Sequence, residues 1–371
     1  MANSIIMKNI VMVLALIGLI AGNLPAQDAK PPVRIAMVGL VHDHALGMLS
    51  KLNGRTDVQL AGIVETNEVL IARYTERFHL DTNLFFPSLA ALLAHTNISA
   101  VAIFTSTFDH PRVVADCAAQ GIGTVMMEKP MATTVAAARE IAATAQNSGV
   151  QIIVNYETTW YPGNQEAYAM VHDEHQIGDV WRMVFHHGHR GPQEIGCSAE
   201  FLAWLTDPVL NGGGALNDFG CYGADLATWL MDGQRPTSVL ATTQHLKPEV
   251  YPKVEDDATI VVTYPHTQVI IQASWNWPFD RKDMELYGKT GYVIVPQPNV
   301  MRVRTGKMPA ESVITPPPLT GVKLDQLALL AAVVRKEATP TGLSSLAENQ
   351  VVVEILEAAH ESANTGKQVD F

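Results

Sequence analysis

Two segments of the chain carry residue types that could bind a hydroxyl group and move its proton. Lys129 follows an apolar run and Glu128, so its ammonium would project from a strand end into a cleft and stabilise a developing alkoxide. Asp218 and Tyr222 lie four residues apart in a helical pattern and therefore share one helix face. We predict that these three residues are catalytic. The alternatives are a surface lysine, a helix-capping aspartate and a half-buried aromatic ring.

A second group of residues could form the phosphate end of a nucleotide site. The strand pattern Val33–Val38 runs into Gly39, then a loop and a helix, which is the arrangement that binds pyrophosphate. Val41 and His44 stand where this loop usually has two further glycines, and the branched side chain of Val41 would lie where the backbone should approach phosphate. The loop alone is a weak signal. We predict cofactor contacts for Gly39, Val41, His42 and His44.

Glu65 strengthens the nucleotide interpretation. It ends the second apolar strand pattern, 26 residues after Gly39. A carboxylate at this position accepts hydrogen bonds from ribose hydroxyls and repels a 2′-phosphate, so NAD is predicted and NADP is disfavoured. The alternative is a solvent-exposed loop glutamate.

These candidates lie at the ends of predicted strands. The pattern of predicted strands and helices changes near residue 155. Up to residue 154, short apolar strands alternate with helical stretches, which predicts a parallel sheet covered on both faces. Beyond it, the strands are longer and adjacent, and several alternate in polarity, which predicts an open, largely antiparallel sheet. The predicted fold class is α/β, with a Rossmann domain over 33–154 and a substrate-binding α/β domain with C-terminal helices over 155–371.

Three motifs resemble those of the Gfo/Idh/MocA oxidoreductases. They are Glu128-Lys129-Pro130, the run GGGALNDFGCYGAD that ends at Asp225, and TSTFDH, which ends at His110. The resemblance covers nearly the whole chain after residue 26, and its tyrosine form is similar to the glucose–fructose oxidoreductase and dihydrodiol dehydrogenase branches. It implies a nicotinamide cofactor and a cis Lys129–Pro130 bond. The residues that it adds are Thr105, Ser106, His110 and Glu128 at the cofactor and Asp225 at the substrate.

Further polar and aromatic residues could contact the substrate. His187 and His189 alternate on a predicted strand and therefore face the same way, and Arg190 follows them. Trp277 offers a flat apolar face that suits a pyranose ring, although core packing explains it equally well. Glu157 begins the second domain, where members of the family place substrate contacts. The two histidines also suit a metal, but no third ligand is assignable, so no metal site is predicted.

The first 26 residues have the pattern of a secretory signal peptide. Lys8 precedes the apolar run 10–21, and Ala26 then offers a small residue for cleavage before Gln27. The run is shorter than the roughly 20 apolar residues that a membrane span needs. We therefore predict Sec-type export to the periplasm and no stable membrane span. The alternatives are an uncleaved anchor, or a cytoplasmic protein if the pattern is misread.

Composition narrows the partners. The chain of 371 residues has a net charge of −12 and no basic cluster, which argues against nucleic acids and anionic membranes. Its three cysteines are too few for a disulfide framework. An open sheet face in the second domain predicts a homo-oligomer.

Together these features predict a nicotinamide-dependent oxidoreductase that acts on a sugar or cyclic polyol, with Tyr222 moving the hydroxyl proton beside Lys129 and Asp218. Export leaves alternatives open, because free NAD is not expected to be plentiful outside the cytoplasm. The cofactor could be held tightly and recycled within one cycle, as in the NAD-dependent glycosidases that the resemblance also reaches. Otherwise the protein is a sugar-binding protein or a metal-assisted lyase that has lost NAD binding.

Overall fold

Apolar strands from the first part of the chain form one parallel sheet in the computed structural model, which describes residues 30–371. The predicted signal peptide lies outside the described residues. The strands are β1 (Val33–Val38), β2 (Val58–Val64), β3 (Phe85–Phe86), β4 (Ala100–Ile103), β5 (Thr124–Glu128) and β6 (Gln151–Asn155). Their order is β3-β2-β1-β4-β5-β6. Because the order reverses between β1 and β4, a crevice opens outside the carboxyl ends of these strands, where such sheets bind ligands.

The second sheet has nine strands. They are β7 (Val180–Gly188), β8 (Ser238–Gln244), β9 (Asp257–Thr263), β10 (Gln268–Ser274), β11 (Arg281–Gly288), β12 (Gly291–Gln297), β13 (Val300–Thr305), β14 (Ser312–Ile314) and β15 (Val369–Asp370). Their order is β14-β13-β12-β11-β7-β10-β9-β8-β15, and every neighbouring pair is antiparallel except β7 with β10. Alternate residues of β9 are buried, so one face packs against helices and the other stays partly open.

Ten α-helices cover these sheets within the described residues. They are α1 (His44–Leu52), α2 (Glu68–Phe78), α3 (Leu89–His95), α4 (His110–Ala119), α5 (Val135–Ser148), α6 (Pro162–Tyr168), α7 (Ala199–Leu205), α8 (Ala215–Leu230), α9 (Gln326–Val334) and α10 (Leu346–Thr365). One core cluster lies between the first sheet and α1, α2 and α9. The other runs from α4 and α5 to the second sheet beneath α8 and α10. The predicted α/β fold class, with a Rossmann sheet and an open, largely antiparallel sheet, is confirmed.

Helix α9 packs away from the sheet that its place in the sequence suggests. It falls within the predicted second domain, but Leu327 and Leu330 are fully buried in the cluster under the first sheet. Arg55 binds Asp325 at 2.6 Å, just before this helix. The predicted boundary near residue 155 therefore separates the two sheets but not all of the packing. No helix among residues 30–371 combines the length and apolar character needed to cross a membrane.

Candidate active site

The turn after β1 needs a glycine for packing. Gly39 has φ +81°, and a Cβ there would lie 2.7 Å from the Thr105 methyl carbon and 3.0 Å from the Phe104 carbonyl oxygen. The glycine therefore lets the chain turn closely against the end of β4. Val41, which replaces the expected second glycine, is half-buried and packs against both core clusters. Its branched side chain is thus partly buried against the core.

Glu65 lies beside this turn, where the ribose-binding carboxylate was predicted. One of its oxygens accepts the Leu40 amide at 2.9 Å, and the other accepts the amides of Thr66 and Asn67, both at 2.8 Å. These bonds fix the carboxylate at a cavity of about 350 Å³, here called the Glu65 cavity, which Thr105 also lines. A carboxylate held in this way keeps lone pairs for ribose hydroxyls.

Thr105, Ser106 and His110 of the TSTFDH motif form hydrogen bonds within the protein. The Thr105 hydroxyl donates to the Ser106 carbonyl at 3.0 Å, and the Ser106 hydroxyl donates to Asp109 at 2.9 Å. Burial lowers the pKa of His110 to about 4, so its ring is neutral and its Nδ1–H donates to the Met131 carbonyl at 3.0 Å. His110 thus supports the segment that follows Lys129, and Thr105 and Asp109 are the members of this motif that line the Glu65 cavity.

A second cavity, of about 450 Å³, lies at the carboxyl ends of β5 and β6 and is here called the Glu128 cavity. The residues that form one wall of this cavity are linked by consecutive hydrogen bonds. Glu128 contacts His44 Nδ1 at 2.8 Å and accepts from the Asn155 amide at 2.8 Å, and Trp160 Nε1 donates to Asn155 at 3.0 Å. Burial opposes the charge of Glu128, but His44, Asn155 and Lys129 together outweigh that effect, so the pKa of Glu128 is lowered. The wall therefore presents a fixed carboxylate and amide.

Helix α7 covers the loop that joins the two cavities. Val41 lines the Glu65 cavity and Asp43 lines the Glu128 cavity. Ser198 donates to the Asp43 carboxylate through its amide at 2.8 Å and its hydroxyl at 2.6 Å, and Trp204 Nε1 donates to the Val41 carbonyl at 3.2 Å. The His42 ring lies 5.3 Å from that of Trp204, and burial lowers its pKa well below the usual value. A dinucleotide spanning both cavities would run beneath this helix.

The predicted catalytic residues Lys129 and Asp218 form a buried ion pair, and each side chain is only 6% exposed. Lys129 Nζ also donates to the Asp218 carbonyl at 2.9 Å, and Trp275 Nε1 donates to the second carboxylate oxygen at 2.9 Å. Burial opposes both charges, but their mutual attraction outweighs it, so the pKa of Asp218 is lowered and that of Lys129 is raised. The Lys129–Pro130 peptide bond is cis, as the resemblance implied.

Tyr222 lies one turn further along α8 and is the third member of the predicted catalytic group. Lys129 Nζ lies 5.1 Å from its ring centroid, and the rings of Tyr156 and His187 meet it edge-on at 5.5 and 5.8 Å. Burial raises the pKa of Tyr222 well above that of an exposed tyrosine. The side chain is therefore a neutral phenol that can donate a proton beside a fixed ammonium.

His187 and His189 face α8 together, as predicted. Burial lowers the pKa of His187 to about 3, and its ring nitrogens have no well-aligned hydrogen-bond partner within the described chain. The His189 ring contacts Phe219 at 4.8 Å, and its Nδ1 accepts the Gly191 amide at 3.0 Å. Burial lowers the pKa of His189 as well. Both histidines therefore border the catalytic group as neutral rings.

Lys282 of β11 is a site residue that the sequence analysis missed. Its ammonium pairs with Glu157 and lies 5.2 Å from the Tyr222 ring centroid. The Tyr161 hydroxyl donates to the other Glu157 oxygen at 2.6 Å, and both residues line the Glu128 cavity. Burial opposes the charge of Glu157, but Lys282, Tyr161 and His44 together outweigh it, so the pKa of Glu157 is lowered. The predicted substrate residue Glu157 is thus a charged group at the edge of this cavity.

Three other predicted substrate residues are placed differently. Arg190 is exposed, and its carbonyl accepts from Lys247 at 2.6 Å. Trp277 donates to the His187 carbonyl at 3.3 Å, which holds its ring against β7. Asp225 is fully buried, and neither of its carboxylate oxygens has a hydrogen-bond partner among the residues described. Burial raises its pKa well above the usual value. The structure does not bring Asp225 into the catalytic group.

Two clusters of the described residues have ligand atoms close enough for a metal, and neither includes His187 or His189. The clusters are His42–His44–Glu128 and His186–Asp283–Glu285. In the second, the Arg281 guanidinium binds both Asp283 oxygens, at 2.8 and 2.6 Å, and its charge would repel a cation. In the first, His42 Nδ1 accepts the His44 amide at 3.2 Å, and Glu128 is already hydrogen-bonded.

The fold and the site together define a class. A doubly wound sheet carries a ribose-type carboxylate at one end of its crevice and an ammonium beside a phenol at the other, as in a dinucleotide-dependent oxidoreductase with a Rossmann fold. Comparison with known families agrees. The oxidoreductase family with an NAD-binding Rossmann fold matches residues 33–156, and the GFO/IDH/MocA C-terminal domain matches residues 165–294. The chain belongs to the GFO/IDH/MocA family of oxidoreductases, as predicted.

Individual relatives differ in how much of the chain they match. Mouse trans-1,2-dihydrobenzene-1,2-diol dehydrogenase is 23% identical over 88% of this chain and 95% of its own length. The Xenopus tropicalis protein of that name is 31% identical, but over 36% of this chain and 37% of its own length.

Two solved structures share the fold across nearly the whole chain. An inositol dehydrogenase homolog from Azotobacter vinelandii, complexed with NAD⁺, has a TM-score of 0.78, 18% identity and coverage of 93% of this chain and 98% of its own. Aldose–aldose oxidoreductase from Caulobacter crescentus, complexed with glycerol, has a TM-score of 0.76, 21% identity and coverage of 92% and 100%.

Proposed function

We propose that the protein is an NAD-dependent oxidoreductase that acts on a secondary alcohol of a sugar or cyclic polyol. The observation that carries this proposal is the buried Lys129–Asp218 pair beside the Tyr222 phenol, at the end of a crevice whose other end holds Glu65. The cofactor, when bound, supplies the hydride chemistry. Preference for NAD over NADP is supported by Glu65, whose charge would repel a 2′-phosphate.

The residues present fit such a cofactor at both ends. Glu65 would accept hydrogen bonds from the adenosine ribose in the Glu65 cavity. At the Glu128 cavity, the fixed carboxylate of Glu128 and the amide of Asn155 offer acceptors and a donor suited to a carboxamide. The Val41 side chain packs partly against the two core clusters. The backbone between the cavities could therefore face a pyrophosphate.

Proton handling follows from the charges around the substrate oxygen. Asp218 holds the ammonium of Lys129 in its charged form, so Lys129 can donate a hydrogen bond to the oxygen and stabilise an alkoxide. Tyr222 is neutral, so in the reducing direction it can donate the proton that the oxygen needs. In the oxidising direction the same phenol must first ionise and then accept the hydroxyl proton.

The substrate class is supported by what the relatives' names have in common. The mouse relative is named for a cyclic vicinal diol, and the two solved structures are an inositol dehydrogenase homolog and an aldose oxidoreductase. Each of these substrates can present a ring carbinol with a hydroxyl on the neighbouring carbon. We propose that this chain takes a substrate of that kind, and that Glu157 accepts a hydrogen bond from the neighbouring hydroxyl.

A second candidate is a redox-neutral cycle in which NAD stays bound, as in oxidation, elimination and re-reduction of one sugar. The observation that favours it is helix α7, which Ser198 and Trp204 tie to the loop between the cavities. Release of a dinucleotide beneath it would require these bonds to break. This candidate also suits the proposed Sec-type export to the periplasm, where a retained cofactor needs no external supply.

We also propose that the protein is a homo-oligomer. The face of the second sheet away from α8 exposes or half-exposes apolar side chains on neighbouring strands, among them Leu240, Val261, Ile270 and Ile294. A second copy could cover this face in an isologous contact. Light scattering of the mature chain tests this, and charge substitution at Val261 should dissociate the oligomer without changing its helical content.

Replacing the phenol tests the proposed activity. Tyr222→Phe removes one oxygen and keeps the packing of the ring, so turnover should fall by about 10²- to 10⁴-fold while NAD affinity is unchanged. The control is Tyr264→Phe, another buried tyrosine, which should retain turnover. The assays are nicotinamide absorbance with pyranoses, inositols and keto-sugars, and product release from aryl glycosides for a recycled cofactor.

Two outcomes would contradict the proposal. Full turnover in Tyr222→Phe would place the proton relay elsewhere, with His187 or His189 as the next candidate. A protein that binds sugars without turnover in either assay, and whose native mass lacks NAD or includes a metal, would be a binding protein or a lyase.

A further inference from the structure

Two lysines face the Tyr222 ring, and they differ in how firmly their charge is held. Lys129 Nζ lies 5.1 Å and Lys282 Nζ 5.2 Å from the ring centroid. Lys129 pairs with Asp218, and both side chains are 6% exposed. Lys282 pairs with Glu157, and these side chains are 24% and 50% exposed. The second pair is therefore the more accessible of the two to a molecule in the crevice.

Strand register puts Lys282 in this position. In the antiparallel pairing of β11 with β7, Lys282 lies opposite His187, on the sheet face that contacts α8. Glu157 reaches the same point from the turn after β6, and the Tyr161 hydroxyl fixes its second oxygen at 2.6 Å. The Lys282–Glu157 ion pair thus joins β11 of the second sheet to the turn after β6 of the first sheet. It lies beside α8 and at the edge of the Glu128 cavity.

The phenol therefore lies among charges of both signs. The charged groups that face it are Lys129, Lys282, Glu128, Glu157 and Asp218. The neutral titratable groups around it are Tyr156, His187 and Cys221. After burial, Glu157 makes the largest contribution to raising the pKa of Tyr222. Lys282 is the cation that offsets this carboxylate.

We propose that Lys282 is a positioning residue for proton transfer by Tyr222: its ammonium stabilises the phenolate, and its ion pair holds Glu157 against the cavity to receive a substrate hydroxyl. This inference rests on the proposed function. When an alcohol is oxidised, its hydroxyl proton passes to the phenolate oxygen, its carbinol hydride passes to the cofactor, and a carbonyl forms. Lys282 forms no bond in this step and acts through Tyr222 and Glu157.

The test measures ionisation at position 222 without turnover. A fluorinated tyrosine, which ionises at lower pH, is placed there in the full chain, and its titration is followed by ¹⁹F NMR. Lys282→Met should raise the midpoint by about one pH unit, and Glu157→Gln should lower it by a similar amount, because opposite charges are removed. Lys282→Arg should keep the midpoint of the parent. Lys289→Met, an exposed lysine after the same strand, is the control.

The proposal is overturned if neither variant moves the midpoint or if both move it in the same direction. If Lys282→Met fails to fold, the downward shift in Glu157→Gln decides the question alone. Once a substrate is known, Lys282→Met should move the pH profile of kcat in the direction of the NMR midpoint and raise KM as Glu157 loosens. Opposite midpoint shifts without turnover in any assay would refute the proposed function and leave the electrostatic coupling established.

Discussion

The Lys129–Asp218 pair leads to a prediction about two quantities, stability and turnover, which should respond differently to substitution. Lys129→Met leaves a buried carboxylate whose remaining side-chain donor in the described chain is the Trp275 indole, and Asp218→Asn leaves a buried ammonium that has lost its ion-pair partner. The double variant leaves no charge at either position. We therefore expect each single variant to be destabilised, and the double variant to regain most of the loss.

The magnitude follows from the burial of the pair. Removing one partner of a buried ion pair costs about 3–5 kcal/mol, against a total stability of about 5–15 kcal/mol for a typical domain. Replacing both charges costs far less than the sum of the two single losses, since no unpaired charge remains, so the coupling energy should be at least about 3 kcal/mol. The exposed pair Arg112–Asp116 is the matched control, and Arg112→Met should cost under about 1 kcal/mol.

Urea unfolding of the four proteins measures this coupling, and turnover is measured on the same samples. Turnover should be low in all three variants, including the double variant, because the substrate oxygen has lost its ammonium. A Lys129→Met protein as stable as the parent would refute the electrostatic argument. A double variant that loses the sum of the two single losses would show that the pair is not coupled, and one that turns over fully would remove Lys129 from the chemistry.

Three further predictions concern the cofactor, pH and export. Glu65→Ala should weaken NAD binding by roughly 10- to 100-fold and narrow its advantage over NADP, as measured by calorimetry. Burial raises the pKa of Glu348 from 4.5 to about 7, which favours its protonated form in the folded state, so stability should fall by up to about 3 kcal/mol as pH rises through this range. In urea unfolding, Glu348→Gln should remove that loss and the exposed Glu361→Gln should not. N-terminal sequencing of envelope protein should begin near Gln27, and full-length cytosolic protein would contradict export.

The parallel sheet could be predicted because its buried strands carry a strong local signal. A strand covered on both faces is apolar at nearly every position, as in β1 and β4. Helix α9 gives a weaker sequence signal for a related reason: Leu327, Leu329 and Leu330 are all buried, so it lacks the polar face that marks a surface helix. Helix α7 has only seven residues, too few for a periodic pattern to stand out.

The members of the predicted catalytic group could be found from the sequence because motif and helix geometry agree there, whereas Lys282 could not. Lys129, Asp218 and Tyr222 lie in motifs with fixed spacing. Lys282 joins them only through the register of β11 on β7, which pairs it with His187. Register depends on the turn and on the packing of the whole sheet, and nothing in the residues around Lys282 encodes it. For the same reason, the sequence analysis predicted Glu157 as a substrate residue but did not identify Lys282 as the cation that pairs with it.

Asp225 shows what helical periodicity leaves undetermined. It lies seven residues after Asp218, close to two full turns, so the two carboxylates point to nearly the same side of α8. Seven residues also advance about 10 Å along the axis. The crevice lies beside the first turn of α8, where Asp218 meets Lys129, and Asp225 is carried into the core instead. Periodicity gives the angle of a side chain about a helix, and only tertiary packing decides how far along that helix the site extends.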